Sequence, residues 1–172
     1  MDADPVTAHS EHSALREIIL EHAFVADMLR YLWGRRTYDV EVLRSEFDAG
    51  GYDLVVSRGE IVRHVQLKAK PPGGSTRQVP VAERLVARES GCVLGFVVAD
   101  DLWLDHYLWF GARPGKSLPI EKSCKRARHT KADATGKKAE RRQHVLIPFS
   151  RFAGLETMEE VFTALLGPLP AA

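Results

Sequence analysis

Cysteine is scarce in this chain, with two in 172 residues: Cys92 in an apolar run and Cys124 in a basic one. Two thiols so placed give neither a disulfide framework nor the paired spacing of a zinc site. No apolar run approaches the roughly 20 residues that a membrane-crossing helix needs. The first residues also lack the basic-then-apolar pattern of a secretion signal, so a cytoplasmic protein with no membrane partner is expected. Three families of catalytic motif are missing as well: a glycine-rich phosphate fingerprint after a strand, a GxSxG elbow and an HExxH helix. Their absence argues against an ordinary metabolic enzyme. There is no internal repeat.

What is present is an ordinary globular composition, 45% hydrophobic and 27% charged, which argues against wholesale disorder. The length suits one domain over 1–172 with a sizeable core. A helix is expected from Ser13, as its cap, to a stop at Gly34, with Ile18, Val25, Met28, Leu29 and Leu32 as its apolar stripe. A short strand is expected near Tyr38 to Leu43. A turn at Asp48-Ala49-Gly50-Gly51 then leads into two apolar runs, Tyr52 to Ser57 and Ile61 to Ala69. Ser57-Arg58-Gly59-Glu60 between them reads as a hairpin turn. Val79 to Arg88 has helical spacing, and Cys92 to Ala99 is a continuous apolar run of the kind covered on both faces of a sheet. This order of elements predicts a three-layer α/β fold with a mixed central sheet.

The chemistry concentrates between Phe47 and Lys70. Period-two alternation places His64, Gln66, Lys68 and Lys70 on one strand face. Asp53 sits in an otherwise apolar strand, where a carboxylate without a partner is costly. Glu21 falls inside the expected apolar stripe of the first helix and raises the same question: either it serves a functional site, or an Arg or Lys neutralises it. Glu46 and Asp48 are spare acids nearby, although Asp48 has the ordinary role of a turn former open to it.

An Asp on one strand with Gln66-Leu67-Lys68 on the next resembles the core of the PD-(D/E)xK nuclease superfamily, in the Gln-x-Lys form found in Mrr-like restriction endonucleases. The Pro-Asp dipeptide itself is absent, since Asp53 follows Tyr52, and the second acid is an amide. The order of elements from Ser13 to Ala99 is similar to that superfamily's αβββαβ core, so the resemblance implies a restriction-endonuclease-like fold. It further implies a Mg²⁺ or Mn²⁺ ion held by Asp53, the Gln66 side-chain oxygen, the Leu67 carbonyl and Glu21, with Lys68 acting on the attacking water. A neutral amide would hold the cation more weakly than a second carboxylate. The activity implied is hydrolysis of phosphodiester bonds, in DNA, within restriction, defence or repair. The alternative is a catalytically silent module of that fold which binds nucleic acid or a protein partner, including a homodimer or a larger complex.

The net charge of +1 conceals a segregation. Between Lys116 and Arg142 stand ten Lys and Arg against three acids, a surplus of seven, leaving the rest of the chain at about −6. This segment reads as a loop or arm. Lys125, Arg126, Arg128, Lys131, Lys137, Lys138, Arg141 and Arg142, together with Lys70, are its candidate phosphate contacts. A solvated loop with no partner is the plainer alternative. Trp103, Tyr107 and Trp109 would share one strand face, available either for core packing or for stacking on exposed bases.

Overall fold

The computed structural model describes residues 11–47, 49–70, 76–120, 124, 126–128 and 140–169, with the backbone alone at 126–128 and 140–142. Helix α1 (Ser13–Gly34) buries Leu20, Phe24, Met28 and Leu32, a four-residue spacing that keeps one face toward the core. The expected stripe is therefore rotated, with Ile18 and Leu29 about half exposed. Two apolar rows compete on this helix, and the row carrying Phe24 wins. Its ring meets Phe96 at 5.5 Å and Tyr107 at 6.3 Å between centroids, contacts that an aliphatic row cannot supply. Ser13 is the first helical residue and not the cap; His12 precedes it without a capping side-chain bond.

Strands β1 (Val40–Arg44), β2 (Leu54–Arg58) and β3 (Ile61–Lys70) form an antiparallel meander. The β2–β3 turn uses Gly59 at φ +55°, where a side chain would be strained. Strand β5 (Gly91–Val98) then adds to β3 in parallel, pairing Gln66 with Val93 and Lys68 with Gly95. Strands β6 (Leu104–Gly111) and β9 (Ala153–Leu155) complete a mixed six-stranded sheet in the order β1-β2-β3-β5-β6-β9. As its apolar run predicts, β5 is buried on both faces.

The crossover from β3 to β5 departs from expectation. Val79 to Arg88 is not one helix but strand β4 (Gln78–Ala82) followed by a single turn of helix, α2 (Glu83–Ala87). Pro80 lacks the N–H of a helix interior, while Val79 and Val81 bury the same strand face. An edge strand tolerates such a proline, and β4 is the edge of a second, three-stranded sheet ordered β4-β8-β7. Its other strands are β7 (Arg126–Arg128) and β8 (Glu140–Pro148). Within the basic segment, expected as a loop or arm, β7 and the start of β8 thus pair as antiparallel strands, Arg128 opposite Glu140 and Ala127 opposite Arg141. Lys125, Lys131, Lys137 and Lys138 lie outside the described residues.

Three layers result. Helices α1 and α3 (Met158–Leu166) cover one face of the large sheet around Phe24, Leu94, Phe96 and Phe162. The small sheet and α2 cover the other face around Val81, Leu85, Val93 and Ile147. Helix α3 begins with the capping box that Thr157 and Glu160 predict, each side chain bonding the other's backbone N–H. Of the aromatic trio, Tyr107 and Trp109 pack into the main core, whereas Trp103 lies just before β6 and is exposed. The chain is therefore mixed α/β, and no described helix is long and apolar enough to cross a membrane.

Candidate functional site

The cleft at the C-terminal half of β3 has a volume of about 670 Å³. Asp53, Gln66, Leu67 and Lys68 line it from the sheet, and Arg16, Glu17 and Glu21 line it from α1. All four side chains that the sequence nominates for chemistry, Glu21, Asp53, Gln66 and Lys68, meet there.

Each is placed by ordinary sheet and helix geometry. Strand β2 is in register with β3 only up to Leu54 opposite Val65, yet the Asp53 N–H also donates to the Val65 carbonyl at 2.9 Å. Two residues set against one is the offset of a bulge, which redirects the side chain beside it. The Asp53 carboxylate accordingly reaches along β3, where Oδ2 accepts the Leu67 N–H at 2.6 Å. That bond accounts for a carboxylate in an apolar stretch. The N–H and C=O of one strand residue point the same way, so the Leu67 carbonyl is directed to the side of β3 on which Asp53 lies.

Gln66 is buried, at 4% exposure. Its Oε1 is enclosed and has no hydrogen-bond partner within the protein. A carbonyl oxygen so placed forfeits the bonds it would make in water, and it belongs to a residue that lines the polar cleft. Lys68 follows two residues along the same strand face and is half-buried. The donors lining the cleft are three carboxylates (Glu17, Glu21 and Asp53), an amide oxygen and a main-chain carbonyl. That all-oxygen set fits a hard divalent cation of the Mg²⁺ or Mn²⁺ type. Among the described residues no three His, Cys, Asp or Glu side chains cluster into a ready-made metal site, so any cation would depend on the Gln66 and Leu67 oxygens.

Glu21 has the Arg partner expected of a carboxylate in that position. It lines the cleft, and Arg44 of β1 also donates to it through Nε. The Glu21 side chain keeps 19% of its exposure in that ion pair. The same guanidinium donates from Nη1 to His22 Nε2 at 2.9 Å, while His22 Nδ1 donates to the Ile18 carbonyl at 2.7 Å. An Nε2 that accepts and an Nδ1 that donates define a neutral imidazole. Arg44 is thus fixed from two sides, and it offsets the carboxylate's charge at the rim.

Arg16 went unnoticed in the sequence because the misphased stripe set it on the outer face. The row Leu20-Phe24-Met28-Leu32, continued back by four, reaches it, and that spacing is the signal that finds it. Glu46 is exposed and does not line the cleft, and Asp48 lies outside the described residues. Lys70, at the end of β3, holds its ammonium 5.1 Å from the Phe149 ring centre. Farther back on β3, His64 packs edge-on to Tyr52 at 4.9 Å. Burial, and after it the positive charge of Arg88, hold the His64 imidazole below its ordinary pKa.

No protein-family model matches this chain, and no curated protein matches it.

Proposed function

We propose that this protein is a metal-dependent nuclease of the restriction-endonuclease-like, PD-(D/E)xK type, hydrolysing phosphodiester bonds in DNA. The carrying observation is the enclosed, partnerless oxygen of Gln66, a residue that lines the same cleft as Asp53, Lys68 and Glu21. The meander β1-β2-β3 with β5 added in parallel supports the fold assignment, since helix, three strands, crossover and parallel strand is the superfamily's order.

When bound, a divalent cation supplies a water of lowered pKa and neutralises charge on the phosphate. Asp53, the Gln66 amide oxygen, the Leu67 carbonyl and, once released by Arg44, Glu21 are the groups that hold it. The bond from the Leu67 N–H fixes the Asp53 carboxylate before any cation arrives, so little reorganisation is needed at that ligand. Lys68 orients the incoming water and stabilises the negative charge that builds on the phosphate oxygens as the oxygen–phosphorus bond to water forms and the bond to the leaving sugar oxygen breaks. Lys68→Ala is expected to lower Mn²⁺-dependent cleavage of plasmid DNA by about a hundredfold or more while leaving DNA binding nearly intact. Unchanged cleavage would remove Lys68 from the chemistry.

A second reading has its own observation. Arg44 already neutralises Glu21, and an amide stands where a second acid would be, so the site has less negative charge than a catalytic metal centre normally carries. On this reading the fold binds nucleic acid or a protein partner without cutting. Calorimetric titration with Mn²⁺ separates the two: Asp53-dependent binding supports the nuclease, and its absence supports the silent module.

A further inference from the structure

The turn between β5 and β6 holds its two apolar residues in opposite fashions. Leu102 packs against the main core at φ +67°, a backbone conformation that side chains other than glycine rarely adopt. Trp103, the next residue, stands 69% exposed. The turn is locked by main-chain bonds. The Leu102 N–H donates to the Ala99 carbonyl at 3.0 Å, and the Ala99 N–H donates to the Trp103 carbonyl at 3.0 Å. The Asp101 carboxylate accepts the Trp103 N–H at 3.1 Å. A strained residue held by this many contacts is a reason to look for function beside it. The strain here has a visible product, a large indole at the surface while the residue before it packs, partly buried, against the core.

The location of that indole gives it a use. Strands β3 and β5 run parallel, so their C-terminal ends lie at the same edge of the sheet. Phe96 of β5 lines the cleft and pairs with Tyr107, while Val98 pairs with Leu104. At about 3.3 Å per strand residue, the turn begins roughly 10 Å beyond Phe96. Lys70 ends β3 at the same edge. An exposed aromatic face at the same sheet edge as a polar cleft of about 670 Å³ is an arrangement that accepts an unstacked nucleobase while the backbone reaches the cleft.

We infer that Trp103 is a base-stacking platform, and that the preferred ligand of the cleft is a nucleic-acid strand with an unpaired base beside the bound phosphate. The inference stands on the cleft being a nucleic-acid site. Stacking uses the π-face that every base carries, so it selects strandedness and not sequence.

The test uses the full chain in EDTA, so that nothing is cut, with a short fluorescein-labelled single-stranded DNA followed by anisotropy at one fixed salt concentration. Trp103→Ala is expected to weaken binding about five- to a hundredfold, and Trp103→Phe to recover most of the loss. A strand of the same length with abasic sites should bind the wild type weakly and show no further loss with Trp103→Ala. Blunt duplex should be insensitive to the substitution. The exposed position makes Trp103→Ala compatible with folding, which an unchanged thermal melt verifies. Two outcomes overturn the inference alone: strand binding that ignores Trp103, or loss of self-association in sedimentation with Trp103→Ala, which would make the indole a contact between copies. Failure of the wild type to bind any strand would instead bring down the nucleic-acid reading of the cleft, and this inference with it.

Discussion

Gln66 is the residue at which charge and shape are most finely opposed. Its enclosed oxygen has no partner within the protein, yet it brings no charge. An added carboxylate strengthens the hold of an oxygen site on a hard dication, and Gln66→Glu supplies one at nearly constant volume. On the nuclease reading, this variant is expected to bind Mn²⁺ about tenfold or more tightly in calorimetry. Without the cation it should be less stable than the wild type, because it buries a second carboxylate beside Asp53. A silent site predicts the destabilisation without the gain in affinity, so the pair of measurements separates the two readings. Asp53 and Gln66-x-Lys68 were legible in the sequence because strand alternation fixes a face with few competitors. The partner of Asp53 was not, because the Leu67 N–H is a main-chain group that a bulge brings into reach, and neither leaves a trace in residue identity.

Helix α3 shows how an element is secured from both ends, and only one end was readable. Its N-terminus carries a local signature, Thr157 with Glu160 three residues on. Its C-terminus is held by Arg63, remote in sequence, 1% exposed and donating to the carbonyls of Leu165 at 2.7 Å, Ala164 at 3.0 Å and, outside the helix, Ala112 at 2.7 Å. A cation at these carbonyls is favoured by the helix dipole, and the guanidinium also lies 5.4 Å from the Trp109 ring centre. Desolvation nevertheless pushes the Arg63 pKa down, so those three carbonyls are what offset its burial. Arg63→Met should cost about 3–5 kcal/mol, by analogy with removing one partner of a buried charged pair, against about 1 kcal/mol for Thr157→Ala. Urea unfolding with an unchanged m-value checks the ordering. Equal costs would mean that the cap, and not the buried cation, sets the helix. Long-range contacts of this kind explain the other misreadings too. The α1 stripe was misphased because nothing local says that Phe24 will find Phe96. Val79 to Ala82 became a strand because β8 was waiting to pair with it, which outweighs a weak helical spacing already interrupted by Pro80.

At the scale of the whole molecule, the segregation of charge places ten Lys and Arg between Lys116 and Arg142 in a chain whose remainder is net acidic, at about −6. Parts of that segment enter the small sheet as β7 and the start of β8, which carry Arg126, Arg128, Arg141 and Arg142. This sheet covers the face of the large one that bears Val93 and Phe110, and its strand β4 contributes Pro80 to the cleft lining. The sheet that anchors the basic segment thus also contributes, through Pro80, to the wall of the candidate site. Each phosphate neutralised by a fixed cation adds about 0.7 to the slope of log affinity against log salt for a single strand, and about 0.9 for duplex. Replacing Lys137 and Lys138 together by Gln is therefore expected to weaken DNA binding uniformly across sequences and to lower that slope by about one to two, measured by anisotropy over a salt series. Cleavage at saturating DNA should change little if the pair acts only on affinity. An unaltered slope would identify the pair as solvated surface and confine the electrostatic contact to the cleft itself, where Arg16 and Lys68 would then carry the whole salt dependence.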